Sequence, residues 1–172
     1  MATMTMTEAG AGALVPDVIH LGLDVRDRKE ALEAVAALVA RSRGLAAAPV
    51  FRALWRREEA GSTALGRGVA IPHARIDTIA RPVKLLVHTK YPIEFDAPDR
   101  VPVSLLYVIL VPADGSTDEH LQLLALVAQA MSEPALRVGL VTAISAPAVA
   151  DLFARWVDRL DGTNREALQG LS

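Results

Sequence analysis

The sequence predicts an α/β fold in a single domain, a three-layer α/β/α sandwich with a mixed central sheet. Three observations support this prediction. Segments with strand and helix patterns alternate along the 172 residues. No linker rich in Pro, Gly and Ser divides them, and no internal repeat is present. Finally, Val103–Val111 (VSLLYVILV) is apolar at nearly every position, which is typical of a central strand covered on both faces.

Residues 19–61 are predicted to form one strand and two helices. Residues Ile19–Val25 alternate between apolar and polar side chains, as expected for a half-buried strand. Asp27 is predicted to cap the following helix, and Gly44 stands just past its end. Pro49 favours the start of a second helix, which stops at Gly61.

Two more strands are predicted before the central one. Val69–Ile71 is short and apolar. Val83–Thr89 has a strand composition and is bounded by Pro82 and Pro92. Both segments therefore join Val103–Val111 in the predicted sheet.

The last part of the chain is predicted to be helical. Ser116 and Glu119 have the spacing of a capping box, which opens a helix through Met131. Pro134 and Pro147 are typical of helix starts.

These patterns divide the chain into three parts. A flexible N-terminal tail of small residues covers 1–13, the folded domain covers 14–160, and a polar C-terminal tail covers 161–172. Gly162 is predicted to end the last helix.

The composition excludes several classes of function. The chain has no Cys, which rules out disulfides, thiol catalysis and thiolate metal sites. The formal net charge of −2 gives no basic surface for nucleic acid. The first ten residues lack the pattern of a secretory signal, and no apolar run is long enough to span a bilayer. We therefore expect a cytoplasmic protein with no stable membrane insertion.

The segment Gly61–Arg75 (GSTALGRGVAIPHAR) is the main candidate for chemistry. Its three glycines and two hydroxyl residues can offer donors to an anion, and His73 supplies a nucleophile that is partly neutral near pH 7. A plain turn before a strand explains the same glycines. Ser62 and Thr63 can equally cap turns.

The other three histidines differ in their setting. His120 falls in the first turn of a predicted helix, at position N3 if Ser116 is the cap, where the helix dipole favours an anion. A polar first-turn residue without function is an equal alternative. His20 and His88 lie inside predicted strands, where we expect solvent-facing or locally satisfied side chains.

Other kinds of site have little support. The glycines match neither a Walker A motif nor G-x-G-x-x-G. Metal-binding spacings such as H-E-x-x-H are absent, and so is the G-x-S-x-G pattern of a serine hydrolase. We therefore predict neither a metal nor a cofactor.

Three segments together resemble a known family. They are WRREEAGSTALGRGVAIPHAR, PIEFDAP and LLYVILVPADGSTDEHLQLLALVA. Over about Leu14 to Phe153 the chain resembles the IIA components of the bacterial phosphoenolpyruvate-dependent phosphotransferase system. It is similar to the mannitol/fructose type, and most similar to the nitrogen-regulatory branch.

The resemblance implies a role for each matching residue. His73, in the IPH motif, is the phosphoryl acceptor, His120 is the second active-site histidine, and Arg57 is the active-site arginine. Ser62 and Thr63 match the family's GST signature beside the phosphate. The implied donor is an HPr-type phosphohistidine protein, and neither metal nor cofactor is implied.

The sequence departs from the family's pattern around the acceptor. Ala74 replaces the usual Gly, and Arg75 stands where Lys is common. Ala64 and Arg67 replace a frequent Gly and Asn. None of these changes removes a group that the chemistry requires.

Two outputs are compatible with the resemblance. In the nitrogen branch, phosphorylation controls binding to regulated targets such as transporters or kinases. The alternative is a sugar-specific IIA subunit that passes the phosphoryl group to a separate fructose or mannitol IIB component.

Overall fold

The computed structural model describes residues 13–169, which form six strands and five helices. The strands are β1 (Val18–Leu23), β2 (Ala64–Gly66), β3 (Val69–Ala70), β4 (His73–Ile76), β5 (Val83–Ile93) and β6 (Val103–Pro112). The helices are α1 (Arg28–Arg43), α2 (Ala47–Glu59), α3 (Thr117–Ser132), α4 (Pro134–Thr142) and α5 (Ala146–Gln169).

The six strands form one mixed sheet in the order β1-β5-β6-β3-β2. Strand β4 also pairs with β6, so β3 and β4 follow one another along the same side of the central strand. β5 is antiparallel to β6, whereas β1 is parallel to β5 and both β3 and β4 are parallel to β6. The prediction of a mixed sheet is confirmed.

Helices cover both faces of the sheet, which confirms the predicted three-layer sandwich. Alternate residues of β6 point to opposite faces. Leu106 and Val108 join the core beneath α1 and α2. Tyr107 and Ile109 join the second core, beneath α3, α4 and α5. All four side chains are fully buried, so β6 is the central strand that its apolar sequence predicts.

Several predicted helix ends are confirmed. The Asp27 carboxylate accepts a hydrogen bond from Glu30 N at 2.9 Å, and Gly44 ends α1 in the left-handed conformation. Ser116 caps α3 by accepting a hydrogen bond from Glu119 N at 3.3 Å. Helix α4 begins at Pro134, as its sequence predicts.

Two predicted stops are wrong. β5 continues through Pro92 to Ile93, and its pairing with β6 is irregular between His88 and Ile93, where a missing backbone donor is tolerated. Helix α5 continues through Gly162 to Gln169. One glycine costs a helix only about 1 kcal/mol, which packing of the preceding turns against the core offsets.

An irregular position in β1 changes which face of the sheet its apolar side chains occupy. Ile19 and Leu21 pack on the second core, but Leu23 packs on the first. Gly22 lies between them at φ +79°, and the pairing with β5 shifts there. This bulge turns the later side chains to the opposite face.

Parts of the two predicted tails lie outside the residues that the structure describes. Residues 1–12 of the predicted N-terminal tail lie outside the described range, and so do 170–172 of the predicted C-terminal tail. The domain boundaries at 14 and 160 remain predictions. Within 13–169 no single helix is long and apolar enough to cross a membrane, although α3 and α4, bent by 83°, satisfy length and composition together.

Candidate active site

His73 is placed by the break between β3 and β4. The chain pairs with β6 through Ala70, is interrupted at Ile71 and Pro72, and pairs again from His73, which lies opposite Ile109. The sequence analysis did not predict β4. The side chain of Ala74 is buried in the core beneath α1 and α2. His73 therefore points to the opposite face, where α3 begins.

Two hydrogen bonds define the state of the His73 ring. Nδ1 lies 2.8 Å from the carbonyl oxygen of Ile71. A carbonyl can only accept, so Nδ1 carries the proton and Nε2 keeps its lone pair. Arg57 Nε donates to this Nε2 at 3.1 Å, and Arg57 Nη1 donates to Gly61 O at 2.8 Å. The lone pair of a nucleophile is thus held next to a fixed cation.

His120 lies beside His73, as the family resemblance implies. The two ring centroids are 5.6 Å apart and the rings are nearly perpendicular, at 86°. Ser116 is the cap, so His120 is at position N4 and not at the predicted N3. Its Nε2 is buried and has no hydrogen-bond partner within residues 13–169. A polar nitrogen is therefore available next to the nucleophile.

Burial lowers the pKa of both histidines. For His73 burial is the main cause of the lowered pKa, and the Arg57 charge lowers it further. The hydrogen bond to the Ile71 carbonyl and the Glu58 charge act in the opposite direction and raise the pKa. For His120 burial is again the main cause of the lowered pKa, and the neighbouring His73 and the Arg75 charge lower it further. The lowered pKa values favour the neutral form of both rings at neutral pH, which leaves Nε2 of His73 unprotonated.

These shifts give a testable pH dependence. We expect His73 and His120 to titrate below the ordinary histidine value of 6.5, so phosphoryl acceptance falls only as the pH drops through the lowered pKa of His73. Long-range ¹H–¹⁵N NMR of the imidazoles measures this directly. In Arg57→Met the pKa of His73 should rise. His88, whose pKa is lowered by burial alone, should not change. A His73 pKa above 6.5 would contradict this picture.

The hydroxyls of the GST segment donate to protein acceptors. Ser62 Oγ donates to Phe95 O at 2.6 Å, and Thr63 Oγ1 donates to a Glu58 carboxylate oxygen at 2.5 Å. Ala64 N donates to Ser62 Oγ. These contacts fix the segment beside Arg57. A direct role of the two hydroxyls in phosphate binding remains a prediction.

Glu58 contacts the candidate site through Thr63, and the sequence did not lead us to predict this. It is only 2% exposed, and the same carboxylate oxygen that accepts from Thr63 Oγ1 also accepts Thr63 N at 3.1 Å. Its other oxygen lies 3.7 Å from Arg28, which pairs with Asp96 at 2.7 Å. Glu58 follows Val50 and Leu54 at four-residue spacing on the buried face of α2. A charged residue continuing an apolar stripe was the available signal.

The second and third glycines of the candidate loop form a turn. Gly66 and Gly68 have φ values of +94° and +78°, and Arg67 between them has φ 57°. They connect the antiparallel strands β2 and β3, and Asp99 accepts from Arg67 N at 2.7 Å. This is the plain turn that the sequence left open as the alternative to an anion loop.

The remaining histidines lie away from this pair. His20 pairs with Val87 and His88 with Leu21 in the β1–β5 ladder, and both side chains are partly buried. Within the described residues no group of three or more His, Asp or Glu is placed to hold a metal ion.

Comparison with known proteins identifies the family. The model of the family described as "Phosphoenolpyruvate-dependent sugar phosphotransferase system, EIIA 2" matches residues 13–156. The chain belongs to this family. Membership implies a function in phosphoryl transfer in general, without defining a specific activity. The matched region contains all the candidate site residues described above.

Individual relatives refine the comparison. A nitrogen regulatory protein of Pseudomonas aeruginosa is 41% identical over 123 residues, which is 71% of this chain and 79% of the relative. The crystal structure of nitrogen regulatory protein IIA-Ntr from Neisseria meningitidis has a TM-score of 0.73 at 38% identity, covering 80% of this chain and 97% of that one. A fructose-specific EIIA component of Haloferax volcanii is 38% identical over 106 residues, 62% of this chain and 68% of the relative.

Proposed function

We propose that this IIA protein is a cytoplasmic phosphocarrier that accepts a phosphoryl group on Nε2 of His73 from an HPr-type phosphohistidine protein. Its output is regulatory, through binding of target proteins that depends on phosphorylation. The observation that carries the proposal is the arrangement of His73, whose Nδ1–H is held by Ile71 O while Nε2 faces Arg57.

The transfer needs no co-reactant. The Nε2 lone pair of His73 attacks phosphorus and forms a new P–N bond. The P–N bond to the donor histidine breaks, and its electron pair returns to the donor nitrogen. The Nδ1 proton stays on His73, where Ile71 O stabilises the positive charge that develops on the ring. Such transfers depend mainly on positioning and charge stabilisation.

Arg57 must change partner during this step. Its Nε now donates to the lone pair that attacks, so the guanidinium has to move from the nitrogen to the incoming phosphoryl oxygens. The hydrogen bond from Nη1 to Gly61 O keeps it nearby. We expect His120, whose Nε2 has no hydrogen-bond partner within residues 13–169, to contact a second phosphoryl oxygen.

Removal of Arg57 is expected to slow transfer strongly. In Arg57→Ala the phosphoryl oxygens lose the cation that is proposed to bind them, and the transfer rate should fall by about a hundredfold. The matched control is Arg56→Ala, an exposed neighbour, which should stay within about threefold because surface changes outside the site have small effects. Rapid-quench transfer from the phosphorylated donor measures both. If Arg57→Ala and Arg56→Ala transferred the phosphoryl group at the same rate, Arg57 would have no specific role in the reaction.

The proposed reaction is tested by reconstitution. The protein is incubated with radiolabelled phosphoenolpyruvate, enzyme I and the HPr homologue of its own organism. Acid-labile, base-stable label should appear, and omission of the HPr homologue should prevent it. Absence of label in the complete mixture would refute the proposal.

The regulatory output is tested separately by affinity capture. Wild type, His73→Ala and His73→Glu are each used as bait for cell protein, with transporters and kinases as the anticipated targets. We expect the unphosphorylated His73→Ala form and the anionic His73→Glu form to capture different sets. Identical sets for all three would count against a phosphorylation switch.

A second candidate function is that of a sugar-specific IIA subunit. The similarity to the fructose-specific component of Haloferax volcanii supports it. In that case label on His73 should pass to the cysteine of a fructose or mannitol IIB component. Failure of every IIB protein of the organism to accept label would leave the regulatory role.

A further inference from the structure

The loop before α3 is tied to β4 by one arginine. Arg75 Nη2 donates to Thr117 Oγ1 at 3.1 Å, and Nη1 donates to Gly115 O at 3.2 Å, with a longer contact of 3.4 Å to Ala113 O. These acceptors span the turn that leads into α3. Arg75 therefore spans the gap between the strand of one active-site histidine and the helix of the other.

The position of Arg75 on β4 explains its reach. It is two residues after His73, so the two side chains leave the strand on the same face. Ala74 and Ile76 point the other way, into the core. His73 and Arg75 thus approach the start of α3 from one short strand, and His120 is one turn into that helix.

Among the described residues, two backbone hydrogen bonds also lie at this junction. Ala113 N donates to Ile76 O at 3.1 Å, which continues the pairing at the end of β4. Gly115 N then donates to Pro112 O within the turn itself. The planar guanidinium is suited to this place because its donors have a fixed geometry and reach several acceptors at once.

We propose that Arg75 is a positioning residue that holds the first turn of α3, and with it His120, in place beside His73. This inference rests on the proposed function for its effect on transfer. Its structural part concerns the unphosphorylated protein and stands by itself. Within the described residues the hydrogen bonds of Arg75 go to the loop and to Thr117 and not to either histidine, so the positioning effect passes through the loop. The Arg75 charge also acts on His120 directly.

A purely electrostatic role is the alternative to be separated. The Arg75 side chain is exposed and positively charged, so it also attracts a phosphoryl group at longer range. Arg75→Gln removes the charge and most of the donors, whereas Arg75→Lys keeps the charge but replaces the planar fork with a single ammonium. The matched control is Arg52→Gln, because Arg52 is an exposed arginine that lines the same cleft between α2 and β4.

The experiment measures two quantities for each full-length variant. Hydrogen exchange of the amides in residues 113–120 is recorded on the unphosphorylated protein, and the transfer rate is recorded with the phosphorylated HPr homologue. For Arg75→Gln we expect exchange in this segment to accelerate by about tenfold and transfer to slow by about tenfold. Arg52→Gln should leave both near the wild-type values. For Arg75→Lys we expect intermediate values in which exchange and transfer change together.

Two results would overturn the inference. One is exchange in residues 113–120 of Arg75→Gln that matches Arg52→Gln. The other is an Arg75→Lys variant that regains the full transfer rate while its loop still exchanges rapidly, because the charge alone would then suffice. A wild-type protein that accepts no phosphoryl group would refute the proposed function, yet the exchange data would still test the contact between Arg75 and the loop.

Discussion

Replacing His73 with glutamine is expected to abolish phosphoryl acceptance. The amide side chain is similar in size but has no nucleophilic ring nitrogen to replace Nε2, which faces Arg57 while the Nδ1–H donates to Ile71 O. Loss of a nucleophile usually costs several orders of magnitude, so acid-labile label should fall by at least about a thousandfold. The measurement is incorporation of label from phosphoenolpyruvate through enzyme I and the HPr homologue.

The control for this variant is His88→Gln. His88 is a partly buried strand histidine whose pKa is also lowered by burial, but it lies on β5 and outside the site. This variant should accept label at the wild-type rate. Label that persists in His73→Gln would place the phosphoryl group on another residue and contradict the account.

The largest effect on stability is expected at Glu58. In Glu58→Ala the backbone N–H and hydroxyl of Thr63 lose their shared acceptor, and Arg28 loses a buried carboxylate at 3.7 Å. Removing one partner of such a buried network leaves the others unsatisfied. We expect the free energy of unfolding to fall by roughly 2–4 kcal/mol, measured by urea denaturation.

Two further variants define the origin of that loss. Glu59→Ala, at the exposed neighbouring position on α2, should change stability by about 0.5 kcal/mol or less. Glu58→Gln keeps an acceptor for Thr63 but loses the charge facing Arg28, and should fall between the two. If Glu58→Ala were as stable as Glu59→Ala, the carboxylate would have no structural role.

The sequence predicted the layers of the fold because they depend on regular patterns. The apolar run of β6 and the caps at Asp27 and Ser116 are local signals with direct physical causes. The extent of β5 and α5 was misjudged at Pro92 and Gly162, because tertiary packing and an irregular pairing tolerate residues that favour a stop. Strand β4 has only four residues, too few for a period to be recognised.

The candidate site could be predicted where it depends on side-chain identity. His73, His120 and Arg57 were predicted from their motifs, and the structure brings all three side chains together. Their roles in phosphoryl transfer remain predictions. The acceptor for Nδ1 is a backbone carbonyl, at Ile71, and a backbone group leaves no mark in the sequence. Glu58 had one sequence signal, a charged residue on the apolar stripe of α2, but its contact with Thr63 forms only when α2 packs against the GST segment.

We propose above all that Nε2 of His73 accepts the phosphoryl group while Nδ1 stays protonated and donates its hydrogen bond to Ile71 O. The most direct test is long-range ¹H–¹⁵N NMR of the ¹⁵N-labelled, phosphorylated protein, combined with ³¹P coupling. We expect the phosphorus to couple to Nε2 of His73, with the Nδ1 proton still protected from exchange. Phosphorus bound to Nδ1, or to another histidine, would contradict the account.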